Sequence, residues 1–393
     1  MPREVMNEAA ALQARLVALT RDLMLIPGCA SNPQDRDRCC EFVRNHLDGL
    51  DRTTVRSFEK DGFPSLLALP EGVEIPDVLF CGHLDVIDHP DTIAFRSHVA
   101  GTRLYGPGSG DMKGALAIML ELFREYRRKN PMASLGLLVT SDEETGGDAG
   151  VRHLFDDLGF RCGNVLVPDG GSLTEITVEE KGLLQIELSF RGHAAHAARP
   201  WLARNALERV CDELSKLRKE FDMPAGDSKG TREADVKHPD TEYWSSTCTI
   251  TVIECPNRTA NRIPAFAKAT VDIRFPSPQT VDEILAKVRR VTKPELEMRT
   301  ILAAEPVLLT PDPIYVAAIE SVTGRSVQLV REHGASDARF MSRIGIPVII
   351  SRPTVGNLHA EDEWIDMESM VTFYRICDVY LSRKFDCDPV WAA

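Results

Sequence analysis

Short apolar runs recur along the chain, and each gives way to an acid or an imidazole. Val78-Leu79-Phe80-Cys81 leads into Gly82-His83-Leu84-Asp85, and Leu135 to Thr140 leads into Ser141-Asp142-Glu143-Glu144. Asn164 to Pro168 ends at Asp169, and Pro347-Val348-Ile349-Ile350 enters a loop carrying His359. Runs of this length, bounded by turn residues and separated by helical spacing, predict buried parallel strands. Ala115, Ile118, Met119, Leu122 and Phe123 recur at three and four residues after Asp111-Met112-Lys113-Gly114, which predicts a helix there. The first residues, MPREVMNEAAALQARLVALTRDL, mix charge and apolar positions at helical spacing without an unbroken apolar stretch, as in a folded amphipathic helix and unlike a secretory signal.

After Gly182 the texture changes. Leu184, Ile186, Leu188 and Phe190 alternate with polar residues, as in a strand with one buried face. A helix from Asn205 to Lys219, a Gly-, Asp- and Lys-rich loop from Pro224 to Thr241, strands over Thr247–Ile253 and Lys268–Phe275, and a helix over Val281–Val291 complete a small unit. The expected organisation is an α/β catalytic domain with a mixed sheet over 1–182 and 293–393. Into it is inserted a smaller α+β domain over 183–292.

In open α/β sheets, ligands bind beyond the carboxyl ends of the strands, so four separate segments would deliver His, Asp and Glu to one crevice. That arrangement suits a metal site. The net charge of −13 and the scatter of Lys and Arg argue against a nucleic-acid surface and favour small molecules or peptides. No apolar stretch approaches the roughly 20 residues that span a bilayer. Ten cysteines without any Cys-x-x-Cys indicate neither a thiolate zinc knuckle nor a disulfide framework, so reduced, cytoplasmic thiols are expected.

His83 and Asp85, two apart on an extended segment, share one side of it, so Asp85 can orient a metal-binding imidazole; a loop histidine beside an N-capping acid is the plainer alternative. Asp111 lies in YGPGSGDMKG, a Gly-rich turn opening a helix, where it is either a ligand or a cap. The spacing is neither GxGxxG nor that of a phosphate-binding Walker loop. Glu143 and Glu144 are adjacent, so their side chains diverge: one can bind metal while the other takes a proton, or both can sit in a solvated acidic turn. Asp169 in VPDGGS is as ambiguous on its own.

The stretches GHLDV, LYGPGSGDMKGALA, TSDEETGG, VPDGG with EEKG, GHAAHAARPWLARNA, ANRIP, VDIRF, SDARF and NLHAEDEW, in this order over nearly the whole chain, resemble one family. It is the two-zinc metallopeptidase group of aminoacylases, glutamate carboxypeptidases, acetylornithine deacetylases and succinyl-diaminopimelate desuccinylases. The resemblance implies a zinc-peptidase catalytic domain with an inserted ferredoxin-like lid and dimerisation domain. It implies that Asp111 bridges two metals, with His83 and Asp169 on one and Glu144 and His359 on the other. Glu143 would activate the hydrolytic water and Asp85 would orient His83. Two Zn²⁺ per chain are implied, with Co²⁺ or Mn²⁺ as possible substitutes because nitrogen and oxygen ligands do not separate them. His196, with His193 as the alternative, would reach the neighbouring subunit's site and stabilise the oxyanion. Asn261, Arg274 and Arg339 match positions that contact substrate, where an Arg fork suits a carboxylate; a surface or interdomain ion pair is their plainer role.

Three features depart from the family pattern: Pro107 stands where Arg is usual, Asp88 to Arg103 lacks the usual Trp and Pro-Phe, and Cys255-Pro256-Asn257 replaces Gly-Gly. The expected function is two-metal-dependent hydrolysis of the amide bond of an N-acyl amino acid or small peptide, releasing a free amino acid, by a homodimer built through the inserted domain. Succinyl-diaminopimelate or acetylornithine deacylation is the narrower alternative. A catalytically silent binding or assembly relative and a two-metal phosphoesterase are alternatives of other classes.

Overall fold

The apolar runs that end in acids and imidazoles form adjacent strands. The computed structural model describes residues 3–89, 95–221 and 244–391. In chain order its main elements are α1 (Arg3–Met24), α2 (Pro33–Leu47), β1 (Thr53–Lys60), β2 (Phe63–Pro70), β3 (Val78–His83), α3 (Gly114–Lys129), β4 (Leu135–Thr140) and β5 (Asn164–Val167). There follow β6 (Gly182–Arg191), α4 (Ala206–Glu220), β7 (Thr247–Glu254), β8 (Phe266–Phe275), α5 (Val281–Val291), β9 (Glu297–Ala304), α6 (Pro313–Thr323), β10 (Val348–Ile350) and α7 (Met367–Phe385). They divide into two units, one of Met1–Val178, Leu309–Glu332 and Ser336–Ala393, the other of Glu179–Leu308 and His333–Ala335.

The first unit is built on a mixed sheet in the order β1-β2-β4-β3-β5-β10. β3 runs parallel to both β4 and β5, and β10 runs parallel to β5, while β2 joins β4 antiparallel. Every residue of β3 and β4 is buried, as parallel strands covered on both faces must be. On one face Phe80, Leu137 and Leu166 meet Leu16 of α1, Val43 of α2, Met119 and Phe123 of α3 and Phe373 of α7. On the other, Leu79, Leu138 and Val165 meet Val151, Phe155, Ala338 and Met341. With long helices on one side and short helical segments on the other, polar side chains find their outlet at the strand ends.

The second unit follows a βαββαβ order, and its strands pair antiparallel as β7-β8-β6-β9, the split arrangement of ferredoxin-like folds. Leu184, Ile186, Leu188, Val271 and Ile273 of the sheet pack against Val210, Leu214 and Leu217 of α4 and Ile284 and Val288 of α5. Asn205 caps α4, and Thr280 with Glu283 forms a capping box at α5. The expected boundary at 292 falls short, because β9 pairs with β6 and extends the unit to Leu308. β9 is an edge strand, half exposed and without an apolar alternation, so its membership could not be read from its pattern. The expected loop from Pro224 to Thr241 lies outside the described residues. The ten cysteines are free thiols, and no helix among the described residues is long and apolar enough to cross a membrane.

Candidate active site

Register brings the acids together. His83, the last residue of β3, pairs with Thr140, the last of β4, so the loop after β4 opens beside the imidazole. Asp85, buried two residues on, accepts the backbone N–H of Glu143 at 3.3 Å and of Glu144 at 2.9 Å, anchoring their turn. Gly146 (φ 113°) and Gly147 (φ 65°) end that turn in the left-handed region, where a side chain would be strained. Asp85 orients His83 mainly through its backbone carbonyl, which accepts from Nδ1 at 3.1 Å. The Asp85 carboxylate lies 3.5 Å from the same nitrogen.

Asp111 comes from the turn Ser109–Lys113 that opens α3. Two buried side chains hold this turn. Glu363 accepts the N–H groups of Gly110 at 2.7 Å and Asp111 at 2.9 Å. Lys113 donates to the carbonyls of Leu23 and Pro27 at 3.1 and 2.9 Å and to that of Ile26, satisfying the carboxyl end of α1. From the other side, His359 adopts φ 63°, a conformation that costs a non-glycine residue about 1–2 kcal/mol and is characteristic of functional turns.

Asp111 stands between two imidazoles: His83 Nε2 is 3.1 Å from its Oδ1, and His359 Nε2 is 3.4 Å from its Oδ2. Donor atoms of His83, Glu143 and Asp169 lie within 4.8 Å of one another, and so do those of Asp111, Glu144 and His359. The structure thus brings all five expected ligands and the expected base into two adjoining clusters, with Glu143 in the His83–Asp169 cluster. Asp169 also lies 3.7 Å from Arg352.

The electrostatics show what such crowding costs. Burial, and then the charge of Asp169, push the Glu143 carboxyl well above the usual carboxylate range. Burial also raises Glu144, against the hydrogen bond from His359. Burial opposes ionisation of Asp111 too, yet hydrogen bonds from His359 and His83 hold it well below its usual value. His359 in turn is pushed up to about 10 by Asp111 and Glu144. Burial works against a charge on His83, but Asp111 and Asp85 outweigh it and raise the imidazole strongly. Four carboxyl groups so placed need positive charge, and Glu144 Oε1 is buried without a hydrogen-bond partner. An oxygen- and nitrogen-rich donor set with an orphaned carboxylate oxygen fits divalent cations.

The remaining expected residues lie elsewhere. His196 and Asn261 are exposed neighbours in the second unit: Ala197 N–H donates to the Asn261 carbonyl at 2.8 Å. The His196 Nδ1 accepts from the N–H of Ala198 at 3.1 Å, which leaves the proton on Nε2, facing outward as a donor. His193 is exposed as well and pairs through its backbone with Arg204, as His196 does with Arg262. Arg274, on β8, has its Nε 2.8 Å from Asp272 Oδ1. Arg339, in the first unit, is buried and donates to the carbonyls of Ser336 at 2.6 Å and Gly146 at 2.7 Å, so part of its fork grips the Glu143–Thr145 turn. Glu363 and Lys113 were not singled out by sequence. Both belong to stretches quoted above, NLHAEDEW and GDMKG, but nothing in a linear pattern shows a side chain bound to backbone.

The sequence pattern of peptidase family M20/M25/M40 matches residues 79–382. A succinyl-diaminopimelate desuccinylase of Rhodospirillum centenum is 30% identical over 395 residues, covering 94% of this chain and 97% of that protein. One of Alkalilimnicola ehrlichii is 28% identical over 96% of this chain and 99% of its own length. Among solved structures, an M20 family metallo-carboxypeptidase of Sulfolobus solfataricus superposes with a TM-score of 0.76 at 16% identity, covering 94% of this chain and 98% of that one. Human carnosine dipeptidase 1 gives a TM-score of 0.76 at 15% identity, with 98% of each chain covered.

Proposed function

Because the chain belongs to peptidase family M20/M25/M40 and is a metal-dependent hydrolase, we propose that it cleaves the amide bond of an N-acyl amino acid or small peptide, releasing a free amino acid. One observation carries this reading: Asp111 presents its two oxygens to His83 and His359, the disposition of a carboxylate shared by two cations. His83 and Asp169 would hold one ion, Glu144 and His359 the other, and Zn²⁺ suits the donors best, with Co²⁺ or Mn²⁺ able to replace it. When bound, such ions supply Lewis-acid polarisation of the scissile carbonyl and acidify the attacking water.

The chain's own residues do the rest. Glu143, raised by burial, takes a proton from the attacking water and passes it to the leaving amine. His196 offers its Nε2 proton to the oxyanion, and Arg274 exchanges Asp272 for a substrate carboxylate, with Asn261 and Arg339 as further substrate contacts. Within the broader reading, the names of the relatives that span the chain favour an N-succinyl amino acid such as succinyl-diaminopimelate. The deciding experiment is hydrolysis of N-succinyl, N-acetyl and dipeptide substrates, with a phosphate ester as control, in the presence of Zn²⁺, Co²⁺ or Mn²⁺. Release of amino acid supports the proposal, while cleavage of the ester alone, or metal binding without turnover of any substrate, would refute it. Arg274→Lys should lower kcat/KM about 10- to 100-fold on free-acid substrates and little on their amides, since an ammonium cannot reproduce the planar fork. Equal losses on both would make Arg274 structural.

The partner we propose is a second copy. β7 is an edge strand of its sheet, with Val252 and Ile253 exposed. His196 stands on an exposed turn of the second unit, apart in sequence from every metal-ligand segment, so we assign it to the neighbouring subunit's site. His196→Ala and Glu143→Ala are each expected to be nearly inactive. Mixed in equal amounts, they should recover about a quarter of wild-type activity, because about half of the dimers are mixed and each of these has one intact site. Demonstrably mixed dimers without recovery would show that His196 serves its own chain. The cytoplasm, where free thiols persist, is the compartment this reading fits.

A further inference from the structure

We propose that Glu363 is a positioning residue that sets the Asp111 carboxylate against His359 and thereby fixes how tightly the pair holds a divalent cation. The inference rests on the reading that Asp111 and His359 serve the same cation. Glu363 is buried, and its Oε1 is directed at backbone, accepting from Gly110 N at 2.7 Å and Asp111 N at 2.9 Å. Its own carbonyl accepts from Gly106 N at 2.8 Å, so one residue grips the Asp111 loop at three amides.

The same residue closes the segment that carries His359. That segment enters through two left-handed positions, Asn357 (φ 54°) and His359 (φ 63°), and returns through a bond from Glu363 N to the Ala360 carbonyl at 3.2 Å. The two loops touch closely: a Cβ at Gly110 would lie 3.0 Å from the side chains of Leu358 and Val355. At one end of a short, bent segment an imidazole faces Asp111 Oδ2, and at the other end a carboxylate holds the Asp111 backbone. Asp85 treats the second acidic turn in the same manner, accepting from Glu143 N and Glu144 N. Each of the two acidic turns is thus held by a buried carboxylate that accepts from its backbone amides.

What matters in this role is an acceptor of the right length, with its charge secondary. Partners beyond the ligands commonly govern metal affinity by about 10- to 100-fold. Zn²⁺ affinity, measured by competition with a chromophoric chelator, and the visible spectrum of the Co²⁺-loaded protein should therefore be compared in Glu363→Ala, Glu363→Asp and Glu363→Gln. The Gln variant keeps the acceptor and should bind within about threefold of wild type with an unchanged Co²⁺ band. The Ala and Asp variants should bind about 10- to 100-fold more weakly, with a shifted band. If the Ala variant does not fold, the Asp and Gln pair decides alone. Wild-type affinity in the Asp variant, or a Gln variant as weak as Asp, would overturn the assignment. A wild-type protein that binds no Zn²⁺ would bring down the two-metal reading instead, and this inference with it.

Discussion

Replacing Glu143 by glutamine is expected to lower kcat by about 100- to 10,000-fold while leaving KM and metal content close to wild type. The expectation follows from where the side chain sits. Its turn is anchored by Asp85 through backbone amides, so the substitution removes a proton acceptor without loosening the loop that presents Glu144. Burial, and then Asp169, lift the Glu143 carboxyl well above the usual carboxylate range, which strengthens it as a proton acceptor. Steady-state kinetics with metal analysis of the same preparation is the check. Near wild-type turnover would remove Glu143 from the mechanism, and loss of one metal would make it a ligand of the His83–Asp169 cluster.

The second large effect is expected at Asp111. Asp111→Asn removes the charge that faces both imidazoles, so on the proposed two-metal reading the protein should lose at least one metal, and activity should fall by about 1,000-fold or more. The amide keeps the volume, and the turn is still held by Glu363 and Lys113, so the fold should survive. Metal stoichiometry by elemental analysis, with circular dichroism to establish folding, separates a lost ligand from a lost structure. Two tightly bound metals in a folded Asp111→Asn protein would rule out a shared carboxylate.

How much of this was legible in the sequence differs from residue to residue. His83, Glu143, Glu144, Asp169 and His359 each stand at or after the end of an apolar strand, and the strand-end rule gathers them without knowledge of the pairing, whereas Asp111, in a Gly-rich turn opening a helix, joins them only through the family resemblance. The strands themselves were visible because the central ones are apolar throughout. β9 was not, since an exposed edge strand places few constraints on its sequence. Glu363 was hard for a different reason. Its carboxylate accepts from backbone amides, which nearly every residue carries, so no complementary side chain marks the contact. Asp85 shows the same limit, since its spacing pointed to His83 whereas its carboxylate is spent chiefly on two amides.

The order of the strands also dictates when the centre can exist during synthesis. His83, Asp111, Glu143, Glu144 and Asp169 precede the second unit in sequence, while β10, His359 and Glu363 follow it. At about 5–20 residues per second, a ribosome completes the whole βαββαβ unit before the sheet can receive its outermost strand. Throughout that interval the nascent chain holds most of the acids but neither the second imidazole nor the clamp on Asp111. On the proposed reading, a chain arrested there would be an assembly intermediate without hydrolytic power, and metal loading would be one of the last events of its maturation.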